Sequence, residues 1–128
     1  MNNLAITYKA TADLLPYINN AKKHSADQVA MLAASIKEFG FNNPILTDGD
    51  NGVIAGQGRL QAAQKLGLET VPTIELSHLS GAQKKAYILA DNRLGEVGTE
   101  WDMELVNLEL EELQGLEFDL SLTGFELE

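Results

Sequence analysis

The stretch IAGQGRLQAAQKLG, Ile54–Gly67, sets an apolar run, a glycine turn and a short helix side by side. Ile54 and Ala55 read as the end of a strand. Leu60, Ala62, Ala63 and Leu66 space an apolar side along a helix, and Gly67 tolerates the left-handed conformation that stops it. Gly56-Gln57-Gly58-Arg59 therefore lies where a strand ends and a helix begins. The first N–H groups of such a helix have no internal acceptors and sit at the positive end of its dipole, which favours an anion. Two glycines allow close backbone approach, and Arg59 offers a planar, two-pronged contact to phosphate oxygens. The same residues also fit a plain tight turn in which Arg59 pairs with a carboxylate. The stretch is neither a dinucleotide fingerprint nor a P-loop, because Gln61 replaces the third glycine and no G-K-[ST] occurs.

Outward from this turn, Ile45–Thr47 and Val53–Ala55 are two short apolar or β-branched runs flanking Asp48-Gly49-Asp50-Asn51-Gly52, a cluster that accepts positive φ. They predict a hairpin. Upstream, Ser25 precedes Gln28 by the capping-box spacing, Val29, Leu32, Ala33 and Ile36 share one helical face, and Gly40 supplies a stop. The pattern predicts a helix over Ala26–Phe39. Downstream, ETVPTIEL returns to extended chain, with Pro72 favouring an edge or the first residue of a strand. Ser80 and Gln83 repeat the capping spacing ahead of a third helix running to about Asp91. A fourth helix is expected after Asp102, with Leu105, Val106, Leu108 and Leu113 as its apolar side. Leu116, Phe118, Leu120 and Leu122 then alternate with polar residues, which predicts a strand or an extended strap. The expected class is α/β (α+β), a small mixed sheet with packed helices.

The 128 residues suffice for one domain with a real core. No apolar stretch approaches the ~20 residues of a membrane span, so a soluble, cytoplasmic protein without membrane partners is expected. Cysteine is absent, which excludes disulfides, thiolate metal sites and thiol chemistry. The net charge is −10, yet it is unevenly spread: all nine Lys and Arg residues lie at or before Arg93, and ten acids fall in residues 99–128. Residues 1–98 carry nine acids against those nine bases and are neutral as a body. Phosphate neutralisation by Lys and Arg supplies most non-specific DNA affinity, so an acidic end does not read bases. The expected division is a body over 1–98 and an acidic helical and extended extension over 99–128, packed on the body or leading to a further domain.

Two more clusters carry chemistry. Asp91-Asn92-Arg93 offers an acid for a hard cation, an amide and a second guanidinium, a set suited to Mg-polyphosphate; it equally fits an Asn92 helix cap with Asp91 and Arg93 paired in solvent. Lys22, Lys23 and His24 precede the first helix and are either additional phosphate contacts or a solvated charge run. His24 and His78 have no neighbouring ligand set, so no metal site is expected beyond Mg at Asp91.

NNAKKHSADQVAMLAASIKEFGFNNPILT, GVIAGQGRLQAAQKLGLETVPTIEL and AYILADNRLGE together resemble the ParB N-terminal domain of the ParB/sulfiredoxin superfamily, over roughly Leu15 to Glu96. The versions most similar stand at the front of phage and prophage DNA methyltransferases. The resemblance implies a nucleotide, CTP in the partition proteins, bound with Mg²⁺ by Gly56, Gln57, Gly58 and Arg59, with help from Asn92 and Arg93. The partition proteins carry G-E-R-R-x-R where this chain has G-Q-G-R-L-Q, so two arginines and the acid are replaced. The sulfiredoxin branch uses a cysteine in this turn, and this chain has none.

The expectation is a nucleotide- or phosphate-binding module that regulates an attached DNA-modification or partition domain and meets DNA only through that domain. Two alternatives stay open. One is a nucleotide hydrolase, phosphotransferase or nuclease of the superfamily, using Asp91 or Glu96. The other is a ligand-free interaction module docking through its acidic end. No [DN]-P-P-[YF] tetrapeptide of a methyltransferase occurs.

Overall fold

The computed structural model describes residues 3–20 and 22–127. They divide into two compact units, Met1–Gly95 and Glu96–Glu128. The first contains β1 (Ile6–Ala10), a 3-10 turn (Thr11–Asp13), α1 (Ala26–Phe39), β2 (Ile45–Thr47), β3 (Val53–Ala55), α2 (Gln57–Leu66), β4 (Thr70–Glu75) and α3 (Gly81–Arg93). The strands form one mixed sheet in the order β1-β4-β2-β3. β1 is antiparallel to β4, β2 antiparallel to β3, and β2 parallel to β4.

The hairpin turns on Asp48, whose Oδ1 accepts the N–H groups of Asp50 and Gly52, both at 2.8 Å. Its side chain thereby supplies the acceptor that a tight turn's backbone lacks. β3 runs straight into α2, and all three of its residues are buried because helices cover both sheet faces. On one face Ile45, Val53 and Val71 pack with Leu60 and Ala63 of α2. On the other, Ile54 and Leu76 pack with Ile88 of α3. α1 lies on α2 through Val29, Ala33 and Ala62. Burial of the Val, Leu and Ile side chains among these contributes roughly 1.5–3 kcal/mol each.

Ser25 caps α1 as expected, accepting the Gln28 N–H at 3.0 Å. The reciprocal half of the box is absent there, because Gln28 Oε1 faces His24 Nδ1 at 2.7 Å. At α3 the box is complete, with Ser80 and Gln83 each accepting the other's backbone N–H. β1 was not among the expected elements, although Ile6, Tyr8 and Ala10 alternate with Thr7 and Lys9; Ile6 and Tyr8 are exposed, and the segment is a strand through its pairing with β4. Pro72 departs from the edge expectation, since β4 is flanked by β1 and β2. It is accommodated because Pro72 pairs only with Tyr8 of β1, and β2 joins one residue later at Thr73.

In the second unit α4 (Met103–Gly115) is capped by Asp102, which accepts the Glu104 and Leu105 N–H groups. The covered side differs from the expected one: Leu110 is buried and Val106 and Leu113 are half-buried, whereas Leu105 and Leu108 are exposed. The expected strand over Leu116–Leu122 is replaced by a turn and a 3-10 helix, Leu120–Thr123. Local bonds override the alternation there. Glu117 takes a φ of 60°, Phe118 N–H returns to Leu113 O, and Asp119 Oδ1 accepts both the N–H and the hydroxyl of Ser121. Trp101 and Phe125 meet edge-on with ring centroids 4.9 Å apart. Among the described residues no helix is long and apolar enough to cross a membrane.

Candidate functional site

Gly56 is the N-cap of α2, with φ 102° and ψ 27°, and no side chain caps the helix. The first intrahelical bond runs from Leu60 N–H to Gly56 O at 2.8 Å. The N–H groups of Gln57, Gly58 and Arg59 thus form the open positive end of the helix. A cavity of about 190 Å³ lies there, lined by Gly56–Arg59 together with Lys22, His24, Gln28, Asp91 and Asn92. Segments far apart in sequence are brought together: the loop before α1, the β3–α2 junction and the end of α3.

The individual side chains divide the work in ways the sequence does not reveal. Arg59 Nη2 donates to Pro44 O at 3.1 Å, and its buried Nε has no hydrogen-bond partner. Burial pushes the Arg59 guanidinium down from its ordinary value, while the charge of Asp91 works the other way. A half-buried cation with an unsatisfied donor is what an incoming anion would relieve. Gly56 leaves room for that side chain, since a Cβ would stand 3.0 Å from Arg59 Nη2 and 3.2 Å from Ile45 Cγ1. Gly58 serves a different purpose from close ligand approach. It is buried, and a Cβ there would meet Leu32 Cδ1 at 2.9 Å and His24 Nδ1 at 3.0 Å. Its missing side chain lets His24 lie against the first turn of α2.

Gln57 donates its side-chain amide to Val53 O at 3.3 Å, anchoring the turn to β3. Asn92 lies inside α3 rather than capping it: the helix ends at Arg93, and Asn92 Nδ2 donates to Ile88 O at 2.9 Å. Asp91 accepts from the Tyr87 hydroxyl at 3.3 Å. Burial, then the Asp91 charge, push that phenol up. Arg93 and Lys23 are exposed and do not line the cavity, and Glu96 begins the second unit. Gln28 and Pro44 were not expected to shape the site. Gln28 has a signal in its i, i+4 spacing from His24; the Pro44 carbonyl has none.

Among the described residues Asp91 is the one carboxylate lining this cavity, which suits Mg²⁺ carried in by polyphosphate, an ion usually held by one or two carboxylates plus substrate oxygens. Among the described residues no three His, Cys, Asp or Glu side chains group to hold a metal by themselves.

Residues 12–92 match the family model described as the ParB N-terminal domain. The ParB-like nuclease domain-containing protein YnaK of Escherichia coli (strain K12) is 48% identical over 82 residues, covering 64% of this chain and 94% of that protein. The C-terminally truncated chromosome-partitioning protein ParB from Caulobacter crescentus, complexed with CTP-gamma-S, superposes with a TM-score of 0.73 at 22% identity, over 85% of this chain and 62% of that one. Sulfiredoxin from Arabidopsis thaliana gives a TM-score of 0.52 at 22% identity, over 66% and 97% respectively. At such identities the structural likenesses speak for the fold.

Proposed function

The chain belongs to the ParB N-terminal domain family, and from that premise we propose that it is a nucleotide-binding regulatory module whose phosphate cradle is the first turn of α2. The observation that carries this reading is the uncapped N-terminus of α2 opening on a cavity beside a half-buried Arg59 whose Nε lacks a partner. Backbone N–H groups of Gln57, Gly58 and Arg59 would bind phosphate oxygens, the Arg59 guanidinium would neutralise their charge, and Asn92 would close the side formed by α3. Mg²⁺, when bound, would offset phosphate charge beside Asp91. The CTP-gamma-S complex of the Caulobacter protein supports a nucleotide as ligand and makes CTP the first to try.

The module would serve a larger DNA-modification or partition protein of phage type, the methyltransferase-associated form being favoured by the wording of the ADNRL segment. The Caulobacter partition protein has also been seen on its centromeric parS site. Here, with ten acids in residues 99–128, DNA contact is assigned to an attached domain.

Calorimetric titration with CTP, ATP, ADP and inorganic phosphate, each with Mg²⁺, tests the reading. The wild type is expected to bind at least one nucleotide. Arg59→Ala should weaken it by about 10- to 100-fold, the equivalent of a lost charged hydrogen bond. A wild type that binds none of the four, or an Arg59→Ala variant with unchanged affinity, overturns it.

A further inference from the structure

His24 stands just ahead of the α1 cap, half-buried, and two contacts orient its ring. Nδ1 lies 2.7 Å from Gln28 Oε1. The Nδ1–Cε1 edge rests where a Gly58 side chain would be, with a Cβ there 3.0 and 3.1 Å from those two atoms. A carboxamide oxygen only accepts, so with that oxygen facing the ring the Nδ1 carries the proton. In the neutral ring Nε2 is then an acceptor and repels a phosphate oxygen. In the imidazolium it is a charge-assisted donor. The switch needs no rotation, because Gln28 Oε1 accepts from Nδ1 in either state.

We propose that His24 is a phosphate ligand in its imidazolium form, so that the cavity at the α2 N-terminus takes up a proton together with its anion. The inference rests on the phosphate-binding reading above and adds to it a specific ligand and a proton linkage. The charged groups lining the cavity with His24 are Lys22 from the preceding loop, Arg59 from α2 and Asp91 from α3; α1 contributes the uncharged Gln28 and Leu32. A dianion seated among Lys22, Arg59 and His24 favours the charged ring.

The sign of the linkage follows. A ligand that prefers the charged ring raises the ring's titration midpoint. Binding is therefore strongest below the ligand-free midpoint, weakens as pH rises through the ligand-bound midpoint, and is level above it. Each unit of upward shift corresponds to tenfold in affinity between the two limits.

Sulfate is the probe of choice, because it stays a dianion across the range in which histidine titrates and brings no proton of its own. The chain has two histidines, and the exposed His78 between β4 and α3 is an internal control. Ring C–H signals of the full chain are followed by NMR against pH, with and without saturating sulfate, at ionic strength held constant with chloride. The signal lost in His24→Gln assigns the pair. The His24 midpoint is expected to rise by about one unit while that of His78 stays in place. In His24→Gln, sulfate affinity should be level between about pH 5.5 and 8, at the weak limit that the wild type reaches at high pH. Sulfate bound with the His24 midpoint unmoved, or moved no more than that of His78, overturns the role of His24 and leaves the phosphate site standing. A wild type that binds neither sulfate nor nucleotide at any of these pH values overturns the phosphate site itself.

Discussion

Replacing Gly56 by alanine adds two costs that a second substitution can separate. Gly56 and Gly67 bracket α2, and both hold positive φ, 102° and 70° respectively. A Cβ at Gly67 would meet no atom within 4 Å. Gly67→Ala therefore carries only the left-handed backbone cost, about 1–2 kcal/mol for an L-residue. A Cβ at Gly56 would stand 3.0 Å from Arg59 Nη2, 3.2 Å from Ile45 Cγ1 and 3.3 Å from Arg59 Cζ. Ile45 is fully buried, and Arg59 is held by its bond to Pro44 O, so neither yields freely. Overpacking of this kind adds roughly 1–3 kcal/mol, which places Gly56→Ala at about 2–5 kcal/mol in total. Urea unfolding of the two variants beside the wild type measures the difference. With m-values of roughly 1–3 kcal/mol/M, the midpoint of Gly56→Ala should lie on the order of 1 M below that of Gly67→Ala. Equal midpoints would refute the crowding argument, and with it the claim that Gly56 exists to seat Arg59.

Further predictions concern the Asp48 turn and two buried threonines. Burial pushes the Asp48 carboxyl up, but hydrogen bonds from Lys84 and from the Asp50 and Gly52 amides, together with the Lys84 charge, outweigh it and hold Asp48 below its ordinary 3.8. A depressed carboxylate gives stability that is complete above the ordinary value and lost as pH falls through the lower folded one. Asp48→Asn keeps an Oδ1 for both amides and loses Lys84, so it should cost at most about 1 kcal/mol at neutral pH. The gap should narrow as pH falls below the ordinary carboxylate range through the lower folded value, and a gap that persists undiminished in strong acid is the contrary result. Thr47 Oγ1 is buried without a hydrogen-bond partner, whereas Thr73 Oγ1 donates to Thr7 O at 2.6 Å. Thr47→Val should raise stability by about 1 kcal/mol and Thr73→Val lower it by a similar amount, opposite shifts of roughly 4 °C in thermal unfolding.

What was legible in the sequence was local. The Ser25, Ser80 and Asp102 caps, the Asp48–Gly52 turn and the glycines ending α2 each act within four residues of themselves, so the order and bounds of α1, the hairpin and α2 follow from the chain read in one dimension. The anion-favouring character of the Gly56–Arg59 turn belongs with them, because it comes from backbone N–H groups that any helix start leaves open. Side chains that reach across the fold were illegible. Gln28 was readable as half of a capping box, and in the fold its carboxamide faces His24, which lies against Gly58 of α2.

The sequence by itself determined a mixed α/β chain with a glycine turn at a helix start, because caps, turns and helical periodicity are consequences of neighbouring residues alone. Only the tertiary structure decided where Ile6–Ala10 belongs: the alternation of Ile6, Tyr8 and Ala10 with Thr7 and Lys9 permits a strand, but both of its apolar ends are exposed and its place in the sheet comes from pairing with β4. It also decided which side of α4 is covered: apolar residues run around too much of that helix for periodicity to choose, and Leu110 is buried while Leu105 and Leu108 are not. The meeting of Lys22, His24, Arg59 and Asp91 in one cavity is of the same kind. Contacts between residues more than thirty positions apart depend on how α1, α2 and α3 pack, and that packing is a property of the whole sheet and its helices rather than of any stretch.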